Sequence, residues 1–174
     1  MRESKLTIHL INQLKFTRAE FKKGFLGVSE EDGSRRFLPI NSIGWIVGHL
    51  AWHEQYYWLT RAQACTPFPE LIEKVGFNQP VSTPSLNEMI QCWEEITAAC
   101  DPYLDALIVG DLENHLEVNG RNLPFNIGTM ITRVIYHYWY HNGEMQSIRQ
   151  MLGHKNLPDF VSDDIETTGR FYLN

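Results

Sequence analysis

The stretch Ile127-Gly-Thr-Met-Ile-Thr-Arg-Val-Ile-Tyr-His137-Tyr-Trp-Tyr-His141-Asn-Gly-Glu-Met-Gln-Ser-Ile-Arg-Gln-Met-Leu152 decides the fold. Advancing about 100° per residue, an α-helix collects Met130, Val134, Tyr138, Met145, Ile148 and Leu152 on one stripe. His137 and His141 fall inside that stripe, and Thr132, Gly143, Gln146, Ser147 and Gln150 make the opposite, solvated side. Asn126 is placed to cap the start and Gly153 to end the helix. A 26-residue amphipathic helix needs apolar partners, so the rest of the chain should supply other helices.

It does. Leu6, Leu10, Ile11, Leu14, Phe21 and Phe25 recur at helical intervals, predicting a first helix that ends near Gly24 to Gly27. After a charged loop, SEEDGSRR, residues Asn41 or Ser42 cap a second helix running to about Ala64, before Pro67 and Pro69. Its stripe is Ile43, Ile46, Leu50, Tyr57 and Ala64, with His49 and His53 inside it and Trp58 turned away. Thr83-Pro84 opens a third helix toward Leu107, which Asp101-Pro102 should kink or break. The segment LEVNGRNLPF alternates around Asn119-Gly120 and predicts a small hairpin. Four long helices without a convincing run of strands give an all-α four-helix bundle. Its two connections of about 18 residues are long enough to cross the bundle, and the whole of 1–174 reads as one domain. The tail after Gly153 should pack on the bundle through Phe160, Phe171 and Tyr172.

Composition narrows the function. A formal net charge of −6 with no clustered Lys/Arg run argues against nucleic acid as a partner. No segment has the apolar length of a membrane span, and the N-terminus lacks the apolar core of a signal peptide. Cys65, Cys92 and Cys100 form neither a disulfide framework nor a CxxC pair and read as core residues in a reducing cytoplasm. His9, His115 and His154 read as surface or loop residues.

Two helices thus each turn a histidine pair inward. Burying four imidazoles in an apolar bundle without partners costs about 1–3 kcal/mol for each unsatisfied group, and a shared cation relieves that cost. Neutral imidazoles suit Zn²⁺, Ni²⁺ or Fe²⁺, with Mn²⁺ also compatible, and three of them leave positions for water or substrate.

Two segments carry a family resemblance. Asn41-Ser-Ile-Gly-Trp-Ile-Val-Gly-His49-Leu-Ala and Tyr136-His137-Tyr-Trp-Tyr-His141-Asn-Gly-Glu144-Met resemble the ligand-bearing helices of the DinB superfamily of metal-binding four-helix bundles. That group includes bacillithiol transferase-like proteins and mycothiol-dependent maleylpyruvate isomerases. The resemblance implies His49, His137 and His141 as ligands of a divalent metal, zinc or nickel first. It also implies a metal-dependent, thiol-transferase-like enzyme acting on a small molecule with a low-molecular-weight thiol; the expected location, from the cysteines, is the cytoplasm, and a second copy of the chain in a homodimer is the expected protein partner. A hydrolase using the same residues and a non-enzymatic metal-binding stress-response protein are the alternatives. Glu144 stands where the family commonly has Gln; it is a candidate catalytic or substrate-orienting carboxylate, or else an exposed residue pairing with a nearby cation. His53 is an addition to the pattern: a fourth ligand, a hydrogen-bonding partner behind the ligands, or a core residue. Trp52, Tyr56 and Tyr57 are candidates for the pocket wall, and Glu54 should face another helix or solvent.

Overall fold

The computed structural model describes residues 2–163 and 165; Phe171 and Tyr172, and the side chain of Leu6, lie outside that description. Its long helices are α1 (Arg2–Phe25), α3 (Ile43–Glu54), α5 (Leu86–Ala106) and α7 (Ile127–Met151), with short helices α2 (Glu30–Ser34), α4 (Leu71–Val75) and α6 (Val109–Leu112) in the connections. Strands β1 (His115–Val118) and β2 (Arg121–Asn126) form the only sheet among the described residues. The fold is all-α, as the helical stripes predict.

Helix α1 packs along α7 and α3 along α5, while α3 meets α7 and α1 meets α5 across the other two sides. Consecutive long helices α1 and α3 therefore sit on a diagonal, which is why their connection is long. Leu14, Phe21, Ile46, Leu50, Met89, Ile96, Met130, Val134, Tyr138 and Ile148 are fully buried between them. Close approach of α3 to its neighbours is set by small residues: a Cβ on Gly44 would stand 2.6 Å from the Pro84 carbonyl oxygen, and one on Gly48 would stand 2.4 Å from Met89 Sδ.

Local chemistry fixes the starts. Ser42 accepts from the Trp45 amide (3.2 Å), Ser85 from Glu88 (3.2 Å) and Asn126 from Thr129 (2.8 Å), each occupying a backbone donor that the first helical turn leaves free. The α5 cap is Ser85 rather than Thr83, so the helix begins after Pro84. The hairpin forms as expected, with Asn119 and Gly120 at φ 52° and 73°, the paired left-handed geometry that a two-residue turn requires.

Four expectations are corrected. The charged SEEDGSRR segment is not simply a loop, because Ser29 caps α2 inside it. Helix α5 runs through Pro102 without a break. The second helix does not hold its α-helical phase: Gln55–Arg61 is π-helical, and i→i+5 turns take up about one more residue each. The faces rotate accordingly, so Trp58 is fully buried, Tyr57 only half so, and Ala64 is exposed. Cys65 lies beyond that helix in an exposed turn, while Cys92 and Cys100 are buried as expected.

One polar network crosses the core. Arg18 of α1 binds Glu54 of α3 through both carboxylate oxygens (2.7 and 2.6 Å) and reaches Asp101 of α5 (2.7 Å). Tyr138 of α7 donates to Glu54 Oε1 at 2.8 Å, and Trp93 of α5 donates to the Tyr138 hydroxyl at 2.8 Å. Glu54 thus faces neighbouring helices, as its angular position implies. The exposed Pro102 end of α5 carries Asp101 into this network.

Candidate metal centre

The ligand helices meet where α3 faces α7. Nitrogens from His49, His137 and His141 all lie within 4.8 Å of one another, and no other such group of three potential ligands occurs among the described residues. His49 comes from the middle of α3, its Nδ1–H donating to the Val75 carbonyl at 2.8 Å. That bond leaves Nε2 as the lone-pair nitrogen. His141 is arranged likewise: its Nδ1 lies 2.7 Å from Glu144 Oε2, one helical turn on, so Nδ1–H donates to the carboxylate and Nε2 keeps its lone pair. His137 Nε2 is 3.0 Å from His141 Nε2.

The residues fit a metal. Two nitrogens each ~2.0–2.1 Å from a tetrahedral ion stand about 3.3 Å apart, close to the 3.0 Å between His137 Nε2 and His141 Nε2. The orienting bonds to Val75 and Glu144 are of the kind that hold metal-binding imidazoles in one tautomer and raise their basicity. Burial also keeps the His49, His53 and His137 rings neutral. It pushes the pKa of His49 down to about 4, that of His53 to about 3 and that of His137 to about 2, with the neighbouring imidazoles adding to the fall. Trp45 stacks on His49 with ring centroids 4.5 Å apart and planes at 11°.

Those depressed values predict the pH behaviour of the metal-free protein. In the unfolded chain imidazole takes up a proton near pH 6.5, whereas the folded rings refuse it until lower pH. The unfolded state therefore binds more protons below about pH 6.5, and the stability present above that pH is lost as the pH falls. With chelator present, the unfolding free energy from urea titrations should fall between pH 7 and pH 5, by about 2 kcal/mol from His49 alone; an unchanged value over that range would show that the rings are not desolvated.

The other expected residues fall into four groups. Trp52 stands 5.5 Å from the His49 ring and Tyr57 4.7 Å from the His53 ring, so both line the site. Tyr56 instead turns to Arg61, whose guanidinium sits 4.4 Å over its ring. His53 approaches His137 at 4.5 Å between centroids, yet it is not one of the three converging ligands. Glu144 is half-buried against His141 rather than an exposed partner of a surface cation.

His115 is exposed, as expected, but His9 is half-buried on α1 with Nδ1 lacking a hydrogen-bond partner. His154 follows α7 in a loop, as expected, and is half-buried there, held between Arg149 and Asp32 at 3.2 Å each. Sequence reasoning did not find Val75, whose carbonyl orients His49 from 26 residues away; the short helix α4 that ends on it is only five residues long and gave no periodic signal.

Residues 13–145, which include all three clustered histidines, match the profile of the DinB superfamily. The chain belongs to the DinB superfamily. Comparison with curated proteins finds no match. Within this DinB-superfamily chain the three-histidine cluster is able to hold a divalent cation, and no helix among the described residues is long and apolar enough to cross a membrane.

Glu144 gives a direct check on this arrangement. Glu144→Ala removes the carboxylate that fixes the His141 tautomer and should weaken divalent-metal affinity about 10–100-fold. Chelator competition with Zn²⁺ measures this, and an unchanged affinity would separate Glu144 from the centre.

Proposed function

We propose that the chain is a metal-dependent enzyme, transferase-like, that brings a low-molecular-weight thiol to a small-molecule acceptor. The observation carrying this reading is the incomplete protein shell: three histidine nitrogens converge, while His53, the nearest further imidazole, stays out of the group. Structural zinc sites are usually closed by four protein ligands, and catalytic sites keep a position open. A divalent ion held by His49, His137 and His141 would supply Lewis acidity, lowering the pKa of a thiol or water that it binds.

The protein's own groups do the rest. Val75 and Glu144 hold the His49 and His141 rings in the tautomer that aims Nε2 inward. Trp45 and Trp52 wall off one side and limit water there. Glu144 accepts the His141 Nδ1 proton and so serves as an orienting carboxylate first; a catalytic duty for it is part of this proposal. The buried cysteines are poor rival nucleophiles, since burial raises the thiol pKa of both Cys92 and Cys100.

The test is metal analysis of untagged protein, followed by assay of the zinc- and nickel-loaded forms with a panel of thiols and electrophiles. Metal-dependent thiol consumption matched by thioether formation is expected. Ester or amide cleavage without thiol would point to hydrolysis at the same residues. Tight metal binding with neither reaction would leave a non-enzymatic metal protein.

A further inference from the structure

A cleft of about 350 Å³ lies directly against the ligand cluster, lined by His53, Arg133, Tyr136 and His137. Its inner wall is a ligand histidine, so a molecule seated there touches the metal centre. Arg133 stands one turn before His137 on α7 and brings the only formal positive charge in the lining. Among the described residues it has no acidic partner; its guanidinium rests 4.5 Å over the Phe125 ring. Arg133 is exposed to solvent, whereas the buried arginines are engaged, Arg18 by two carboxylates and Arg149 by the Gly24 carbonyl and the His154 ring. A second unmade bond lies in the same wall, since His53 Nδ1 is buried without a hydrogen-bond partner.

A larger hollow of about 550 Å³ opens between the π-helical segment and the hairpin. It reaches the ligand cluster only through Trp52, and its cation, Arg61, is already engaged by the Tyr56 hydroxyl and ring. The smaller cleft therefore has the free charge and the metal-side wall. One planar guanidinium with two N–H edges matches one carboxylate. A phosphate carries more charge, and the lining offers no second cation to meet it.

Resting on the metal-centred reading above, we infer that this cleft is the subsite for the carboxylate end of an anionic small-molecule substrate, with Arg133 its specificity-determining residue. His53 is a positioning residue in the wall. The rest of the substrate reaches toward the open metal position, so carriage of both a metal-binding group and a carboxylate distinguishes a good ligand from a poor one.

The experiment is calorimetric binding to zinc-loaded protein, comparing 3-mercaptopropionate with 2-mercaptoethanol, and succinate with acetate. Wild type should prefer the carboxylate-bearing member of the thiol pair, and the dicarboxylate, by about tenfold or more, since one well-made charged contact is worth roughly that ratio. Arg133→Met should abolish the preference while leaving zinc content and 2-mercaptoethanol affinity unchanged; Arg133→Lys should restore part of it. Equal weakening of both members, or an unaltered preference in Arg133→Met, overturns the assignment. If neither thiol binds wild type, the thiol reading fails by itself, and succinate against acetate in the same variants still decides Arg133: a preference lost in Arg133→Met supports the subsite, and no preference in wild type overturns it.

Discussion

His137→Ala and His49→Ala are each expected to lower divalent-metal affinity by more than about 100-fold while the chain stays helical. Groups that merely orient a ligand are worth about 10–100-fold, and here a ligand itself is lost from a set of three whose nitrogens lie within 4.8 Å of each other. Two imidazoles cannot recruit the third from nearby without rebuilding α3, because His53 sits a full turn from His49, with ring centroids 6.5 Å apart. Folding should survive, since bundle stability comes chiefly from the apolar stripes, and His137 is only half-buried at their edge. The control is His115→Ala, which alters an exposed imidazole on β1 bonded to the Leu123 carbonyl. Metal content after dialysis against trace zinc, with helicity followed in parallel, makes the comparison. Full occupancy in both ligand variants would remove the centre from this fold.

Much of that centre was legible because a helix imposes its period on everything it carries. His137 and His141 are one turn apart on a stripe otherwise made of Met130, Val134, Tyr138 and Met145, all buried, and the inference from stripe to burial needs no knowledge of the partners. The same logic failed as soon as the backbone left the α-helical repeat. From Gln55 onward the π-helical turns re-phase the faces, putting Trp58 into the core and turning Tyr57 partly out of it. Nothing in QYYWLTR announces that change. Interactions between distant segments were also illegible: Val75 to His49, and Arg18 to Glu54 36 residues away. A charged residue at an inward position is a visible anomaly, but its partner has no sequence spacing to betray it. Glu144 shows the intermediate case. Its place one turn beyond His141 was readable, whereas its use as the carboxylate of that imidazole depended on a side-chain direction only the structure supplies.

Arg18→Met is expected to destabilise the protein by about 3–5 kcal/mol, the cost of leaving one member of a buried ion pair without its partner. Glu54 is fully buried, and its carboxylate oxygens are occupied by Arg18 and Tyr138, so no water is at hand to replace the guanidinium. Asp101, the other carboxylate on Arg18, is about two-fifths exposed and can turn to solvent. Glu54→Gln should also destabilise, by a smaller amount, because the amide oxygen still accepts from Tyr138 while the buried arginine loses its counter-charge. The decisive measurement is the double variant. Arg18→Met with Glu54→Gln removes both charges and keeps the Tyr138 hydrogen bond, so it should be more stable than Arg18→Met alone and show a coupling of about 1–3 kcal/mol in urea unfolding with chelator present. Strict additivity of the two single changes would mean that the pair is not held as a buried unit. The location makes the result matter for the metal centre: Glu54 directly follows His53 on α3, and Tyr138 directly follows His137 on α7. A network that fixes the rotation of those two helices about their own axes also fixes the direction in which their histidines point. The Arg18→Met protein, where still folded, should therefore bind zinc more weakly than wild type, and the double variant should recover affinity along with stability.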